Sequence, residues 1–388
     1  MRPAAFVGAI AAAIIVGASS PPADAGVIAI PDVPMSSGYL GFCKNHSSQK
    51  EWSCYLHHLL RTVLKSRDPA RELPQLDVLA RQSGGFLEAN CHMMMHVVGR
   101  AYALKHHVTL ETLQRYLPRS NDPGCSAGFG MGLVMGLGPR LIAGGARVAN
   151  AICAASPTRF RRYTCYHALG HAYMRLYHGY LSSSLMACHA LGRQAPDCAQ
   201  GAFHDYWLGL SGQDGARYTH GEPRTARALC ARQRGVYAIA CWYRYYLSLP
   251  PKRAPASASG IETLCHGLAG AQRAGCVASA SLVSDSDPVV QFRICSQLPT
   301  LDVDSCLRGV GTQNLPDALS SGSRLISGCA RLARPARTGC YTWLGTALTV
   351  LTDGRFARSG CPRISSPLGR SECVAGAGRA SAPLVTFA

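Results

Sequence analysis

Apolar, small and polar residues recur along this chain in a pattern centred on pairs of cysteines. A leucine lies three residues after the first cysteine in four of these pairs. A residue typical of helix N-caps precedes the second cysteine at seven of nine positions, namely Asn90, Gly124, Thr164, Asp197, Gly275, Ser305 and Gly339. We therefore predict that the first cysteine of each pair lies in the last turn of one helix and that the second opens the next helix.

The cysteines within a pair are separated by 10 to 12 residues, and the second cysteines recur with a period of about 35 residues. This spacing predicts seven local disulfides: Cys153–Cys165, Cys188–Cys198, Cys230–Cys241, Cys265–Cys276, Cys295–Cys306, Cys329–Cys340 and Cys361–Cys373. Elimination leaves Cys43–Cys54 and Cys91–Cys125, for which other pairings stay open.

The period predicts an all-α fold of disulfide-stapled helical hairpins, arranged as a solenoid or curled α/α array of about nine repeats. Gly128, Gly201 and Gly309 each lie three residues after a second cysteine. A glycine at this position permits close packing of neighbouring helices, so we expect tight helix pairs there.

One stretch shows the layout most clearly: residues 328–332 read GCARL and residues 339–345 read GCYTWLG. In this arrangement the chain from Cys153 to Cys373 resembles the cysteine-rich Sel1-like repeat proteins of bacteria. The resemblance implies a secreted, disulfide-clamped helix-turn-helix array, of a class that often presents surfaces to other proteins.

The N-terminus has the features of a secretory signal peptide over residues 1–25. Arg2 precedes an apolar segment from Ala4 to Gly17, and residues 23–25 form an A-x-A cleavage site. We therefore expect a secreted or periplasmic protein without a transmembrane segment in its mature form. All 18 cysteines would then enter an oxidising compartment, where disulfides are favoured over thiolate metal ligands.

A Pro-, Ser- and Ala-rich stretch at residues 249–260 is the best candidate for a linker. It would divide the mature chain into histidine- and methionine-containing repeats at 26–248 and a second set at 261–388. All 14 histidines lie between His46 and His266, which is unexpected if the repeats are interchangeable structural units.

Two H-x-x-x-H motifs occupy equivalent places, His92/His96 after Cys91 and His167/His171 after Cys165. Residues at i and i+4 share a helix face, so each pair can offer two imidazoles to one ion. His204 lies six residues after Cys198, as His171 does after Cys165. Strong curvature of the array would bring these five histidines together as metal ligands, whereas a flat array would separate them.

Imidazole accepts zinc, copper, iron and nickel. Seven of the nine methionines lie between Met93 and Met186, and this combination with histidine favours copper over zinc or iron. His57 or His58 is a candidate for an additional ligand to the first pair. Glu88 and Asp205 are nearby carboxylates that could act as ligand, as partner of a ligating imidazole, or as a catalytic general base.

The net charge of +18 comes almost entirely from 34 arginines against five lysines. Arginine suits carboxylate, sulfate or phosphate, so a protein, an anionic glycan or a lipid surface is a candidate partner. Export argues against nucleic acid. Two hypotheses therefore remain: a secreted metalloprotein, whose reaction as a metalloenzyme stays open, and a non-catalytic repeat scaffold that binds a partner on its curved surface.

Overall fold

The computed structural model describes residues 43–44, 47–120, 124–156, 158–211, 226–245, 254–282, 284–285, 287–313, 324–334, 336–352 and 360–378. Within these ranges the chain contains α-helices, two short 3-10 turns and no β-strand. The all-α prediction is therefore confirmed for the described residues. The predicted signal peptide at 1–25 lies outside them.

The helices before residue 212 are α1 Ser48–Val63, α2 Pro69–Ser83, α3 Gly85–Lys105, α4 Leu110–Tyr116, α5 Cys125–Gly136, α6 Gly138–Ala154, α7 Arg159–Leu176, α8 Leu181–His189 and α9 Ala195–Ser211. Those that follow are α10 Ala226–Arg232, α11 Gly235–Arg244, α12 Ala258–Leu264, α13 Gly270–Leu282, α14 Pro288–Ser296, α15 Thr300–Gln313, α16 Arg324–Ala330, α17 Ala336–Thr352 and α18 Pro367–Gly378. They all belong to one compact unit, Val33–Ala388.

Nine disulfides join the 18 cysteines. The seven local pairs predicted from the spacing are confirmed, and so are the two obtained by elimination. Cys91–Cys125 spans 34 residues and joins α3 directly to α5, whereas the other bonds span 10 to 12 residues. Each of the eight shorter bonds therefore closes a short loop between neighbouring segments of the chain, whereas the Cys91–Cys125 bond joins two helices that pack against each other.

The prediction that the second cysteine opens a helix is wrong except at Cys125, the first residue of α5. Elsewhere the helix begins about one or two turns earlier, as at α7, where the Thr158 side chain caps the helix by accepting from the Arg161 N–H. Thr164 and Asp197 lie inside helices. The Thr164 hydroxyl bonds back to the Arg161 carbonyl, which a threonine within a helix can do.

The helices that carry the second cysteines pack in chain order, each against the next, from α3 through α5, α7, α9, α11, α13, α15 and α17 to α18. Helix α7 additionally contacts α17. The solenoid form and the number of repeats stay predictions.

Four helix pairs approach each other through glycine, as expected from the position three residues after the second cysteine. A Cβ on Gly128 would overlap the carbonyl oxygen of His92, and one on Gly201 would overlap that of His167. Gly309 and Gly376 meet the carbonyls of Ala278 and Thr342 in the same way. Glycine therefore fixes the backbone separation of the helices that carry the histidines.

The predicted linker at 249–260 is described only from residue 254 onward. Helix α12 begins at Ala258, where the Ser257 hydroxyl caps it by accepting from the Gly260 N–H. The division into two sets of repeats stays a prediction. No described helix is both long enough and apolar enough to cross a membrane.

Candidate metal centre

Five histidines, four from the two H-x-x-x-H motifs together with His204, lie on three helices. His92 and His96 are on α3, His167 and His171 on α7, and His204 on α9. Every residue of α7 from Cys165 to Met174 is buried, so this stretch of the helix is internal on all sides. A polar side chain within this stretch cannot turn to solvent and must find partners inside the protein.

The structure brings the two motifs into contact. The ring centroids of His96 and His171 are 5.0 Å apart, and those of His171 and His204 are also 5.0 Å apart. Individual ring nitrogens lie closer still. Nε2 of His92 and Nε2 of His96, both on α3, are 3.1 Å apart. Nε2 of His167 on α7 and Nδ1 of His204 on α9 are 3.2 Å apart. The two motifs therefore form one histidine cluster rather than two separate sites.

His167, His171 and His204 form a group in which one ligand nitrogen from each ring lies within 4.8 Å of the others. Two nitrogens bound tetrahedrally to one zinc ion, with bonds of about 2.0–2.1 Å, are about 3.3 Å apart. The 3.2 Å between His167 and His204 fits such an edge of a coordination shell. The three side chains can therefore hold a transition-metal ion.

Asp205 orients the third imidazole of this group. Its carboxylate is fully buried and accepts a hydrogen bond of 3.0 Å from Nδ1 of His171. Arg175, one turn after His171 on the same helix, lies 3.5 Å from the same carboxylate oxygen. A proton on Nδ1 leaves Nε2 of His171 as the nitrogen with a lone pair, the arrangement common in metal-ligating histidines.

Three buried nitrogens of the cluster have no hydrogen-bond partner among the described residues: Nδ1 of His96, Nδ1 of His167 and Nε2 of His171. A buried polar atom without a partner costs about 1–3 kcal/mol, so such atoms are uncommon in proteins. Nδ1 of His96 and Nε2 of His171 fit a metal ion, because a lone pair that bonds a cation needs no hydrogen-bond donor. Nδ1 of His167 is the protonated nitrogen when Nε2 of that ring is the ligand, so the ion does not account for it.

Burial lowers the pKa of His96, His167 and His204 well below the usual value of 6.5. The adjoining charges add to this effect, His92 for the pKa of His96 and Arg244 for the pKa of His167 and His204. The three imidazoles therefore stay neutral at pH 7, which is the form that binds metal.

Sequence reasoning missed the arginines and the tyrosine around the cluster. Arg100 and Arg175 lie four residues after His96 and His171, so each motif continues by one more helical turn to an arginine. Tyr163 lies four residues before His167, with its ring centroid 5.9 Å from that imidazole. Continuing the four-residue spacing of the two motifs by one step would have found Arg100, Arg175 and Tyr163 in the sequence. Arg244 comes from α11, and no local pattern connects it to the motifs.

The other carboxylate proposed from the sequence is not brought into the cluster. Glu88 is exposed in the first turn of α3, where its carboxylate lies beside Gly84. His57 is exposed, and the buried His58 lies near Thr62 on α1, with 3.5 Å between His58 Nε2 and Thr62 Oγ1. Asp205 is therefore the sequence-predicted carboxylate that contacts the histidines.

The methionines near the motifs are mostly core residues. Met94, Met95 and Met174 are fully buried, and Met131 and Met135 nearly so, whereas Met186 is 70% exposed on α8. Burial of this kind suits methionine as a core side chain. Their role as ligands stays a prediction.

Fold and site together define an all-helical, disulfide-bonded protein with a buried cluster of histidines that can bind a transition metal. No protein-family model, curated protein or solved structure matches the chain. The resemblance to Sel1-like repeats therefore stays a prediction.

Proposed function

We propose that this protein is an exported metalloprotein whose His167, His171 and His204 bind one transition-metal ion. The observation that carries the proposal is the triad itself: three buried imidazoles with nitrogens within 4.8 Å of one another. The buried Asp205, hydrogen-bonded to Nδ1 of His171, supports it by holding that ring as a ligand would be held.

His92 and His96 extend the same site. His96 lies against His171 and has a buried Nδ1 without a hydrogen-bond partner among the described residues. His92 is half-buried and its Nδ1 is 3.2 Å from the Gly124 carbonyl oxygen. We propose that this pair supplies either further ligands to the same ion or a second ion beside it.

Copper is the metal we favour over zinc or iron. Imidazole accepts all three, but divalent copper binds nitrogen ligands most tightly. All cysteines are consumed in disulfides, so no thiolate is present to select another metal. The nine disulfides also support export, because such bonds persist in oxidising compartments.

Metal content tests the proposal directly. The protein would be secreted with its disulfides intact and its metals counted by mass spectrometry, alongside H167A/H171A/H204A. A matched control is H266A, which removes an exposed histidine after the predicted linker. We expect stoichiometric metal in the wild type and H266A and none in the triple variant. A wild type that carries no metal and takes up none would contradict the proposal.

The variant H92A/H96A decides how many ions bind. A fall from two ions to one indicates a second ion held by the α3 pair. An unchanged single ion with weaker affinity indicates that the pair completes the coordination of the first ion.

A further inference from the structure

A pocket opens between α5, α7 and the segment that follows α4. Its volume is about 420 Å³, counting the solvent space at its open mouth. Apolar walls come from Leu117 and Pro118 after α4, from Val134 on α5 and from Phe160 on α7. The described residues that line it include none of the five clustered histidines, so this pocket is separate from the proposed metal site.

Two hydroxyl groups in the wall are committed to partners inside the protein. Ser126 Oγ donates to the buried Asp77 carboxylate, and Thr164 Oγ1 donates to the Arg161 carbonyl oxygen at 3.0 Å. The Arg161 guanidinium, also in the wall, donates to the Ser120 carbonyl oxygen at 3.3 Å and so links α7 to the segment after α4. A polar ligand would have to compete with these bonds, whereas an apolar ligand leaves them intact.

Gly130 on α5 lines the pocket, and packing within the described chain does not require a glycine there. Its neighbours Gly128 and Gly132 do need to be glycine, because a Cβ would lie 2.1 and 2.5 Å from backbone carbonyl oxygens of α3. A Cβ on Gly130 would instead lie 3.5 Å from Leu117 Cδ2 and 3.7 Å from Pro118 Cδ, which is ordinary van der Waals contact.

Backbone conformation does not require glycine at this position either, because Gly130 lies inside α5 and its φ is not positive. Glycine within a helix destabilises the helix relative to alanine. A residue that is unfavourable for the helix and not needed for packing is explained if the missing side chain leaves room for another molecule.

We propose that this pocket binds a small, uncharged, apolar molecule and that Gly130 keeps the space for it open. The buried side chains of Val134 and Phe160 would contact the ligand, and removal of apolar surface from water would favour its binding. The pocket also borders Cys165, whose disulfide with Cys153 fixes the start of this part of α7. Such binding is independent of the metal proposed above.

The test uses the full chain with its disulfides intact and fluorobenzene as a small, neutral probe, followed by fluorine NMR. Fluorobenzoate is titrated separately as a charged probe of similar shape. The variants G130L and A127L each place a larger side chain on a residue that lines the pocket. G378L is the matched control, because a Cβ at the last residue of α18 meets no atom within 4 Å.

We expect saturable binding of fluorobenzene to wild type and G378L, and binding at least tenfold weaker in G130L and A127L. Fluorobenzoate should bind wild type at least tenfold more weakly than fluorobenzene. Circular dichroism identifies a variant that does not fold, and the other pocket variant then decides. G130A should unfold at a higher urea concentration than wild type, because alanine favours the helix and its Cβ fits.

Three results would overturn the inference: no saturable binding of fluorobenzene to wild type, equal affinity in the folded pocket variants, or fluorobenzoate binding as tightly as fluorobenzene. The last result would show that the pocket takes anions. A fall in the urea midpoint of G130A would show that packing does require glycine, and would remove the argument from Gly130. None of these outcomes bears on the proposed metal site.

Discussion

Two helix pairs of this protein share one packing scheme and differ in the side chains they enclose. In the pair α7/α9 a glycine three residues after Cys198 meets the carbonyl of His167, and in α17/α18 a glycine three residues after Cys373 meets that of Thr342. On the partner side of each crossing, a Cβ on Gly170 would overlap the carbonyl of Cys198, and a Cβ on Gly345 would overlap the carbonyl of Cys373. The backbone crossing is therefore the same at both places.

The positions two and six residues after the second cysteine hold His167 and His171 in the first pair, but Thr342 and Thr346 in the other. The threonine hydroxyls bond within the protein, Thr342 to Glu372 at 3.1 Å and Thr346 to the Gly376 carbonyl at 2.8 Å. At the histidines, by contrast, Nδ1 of His167 and Nε2 of His171 have no such partner among the described residues. The crossing does not require histidine, which indicates a role for these imidazoles beyond packing.

Converting the histidine pair into the threonine pair should have the largest effect. H167T/H171T removes two of the three proposed ligands, and we expect metal affinity to fall more than 100-fold, because loss of a partner behind one ligand alone costs about 10–100-fold. The fold should survive, since threonine is accommodated at the same crossing in α17/α18. Competition titration with a metal chelator measures the affinity, and circular dichroism checks the helices.

The reverse exchange is the matched control. T342H/T346H places two histidines at the equivalent crossing, but the sequence has Arg379 and Ala380 six and seven residues after Cys373, whereas it has His204 and Asp205 six and seven residues after Cys198. We expect no additional metal. Uptake of a second ion would show that two histidines at this crossing are enough, and would weaken the assignment of His204 and Asp205.

Removing the carboxylate behind His171 should have the next largest effect. In D205N the amide is a poorer acceptor for Nδ1–H, so the ring loses its fixed tautomer and part of its basicity. We expect metal affinity to fall about 10–100-fold. D304N is the control, since Asp304 is an exposed carboxylate that pairs with Arg308 on α15. Equal affinities for D205N and D304N would contradict the role given to Asp205.

The glycines test whether the two crossings are energetically equivalent. G201A and G376A each place a Cβ against a backbone carbonyl, and overpacking of this kind costs about 1–3 kcal/mol of unfolding free energy. We expect similar losses in chemical denaturation of the metal-free protein. Metal binding should weaken only in G201A, since Gly201 meets the carbonyl of the proposed ligand His167. Weaker metal binding in G376A would show that the pairs are not independent.

The sequence was sufficient to predict the helical class and the seven local disulfides, because both follow from spacing along the chain. It left open whether the two H-x-x-x-H motifs converge, because their convergence depends on how α3 and α7 pack in the fold. Helix starts were misjudged, since Thr164 and Asp197 resemble caps but lie inside helices. The contact between His171 and Asp205 depends on how α7 crosses α9, and the place of Arg244 depends on α11. Such contacts are set by packing between helices, which no local pattern encodes.

The smallest effect we expect is a difference in pH dependence between the two crossings. His167 has a pKa well below 6.5 in the folded protein, chiefly because it is buried, whereas in the unfolded chain its pKa is about 6.5. Below pH 6.5 the unfolded chain binds a proton that the folded protein does not, so stability falls as the pH falls. Above pH 6.5 both forms are neutral and this contribution vanishes.

In the metal-free protein, H167T should therefore flatten the decline of unfolding free energy by up to about 1.4 kcal/mol per pH unit below pH 6.5. T346V is the control at the other crossing, because the Thr346 hydroxyl bonds backbone carbonyls and does not titrate in this range. Denaturation curves between pH 5 and 7.5 measure both slopes. If the unfolding free energy of H167T and that of the wild type decline in parallel as the pH falls, His167 gains a proton in the folded state. The inference that its imidazole is neutral and ready to bind metal at the α7/α9 crossing would then be wrong.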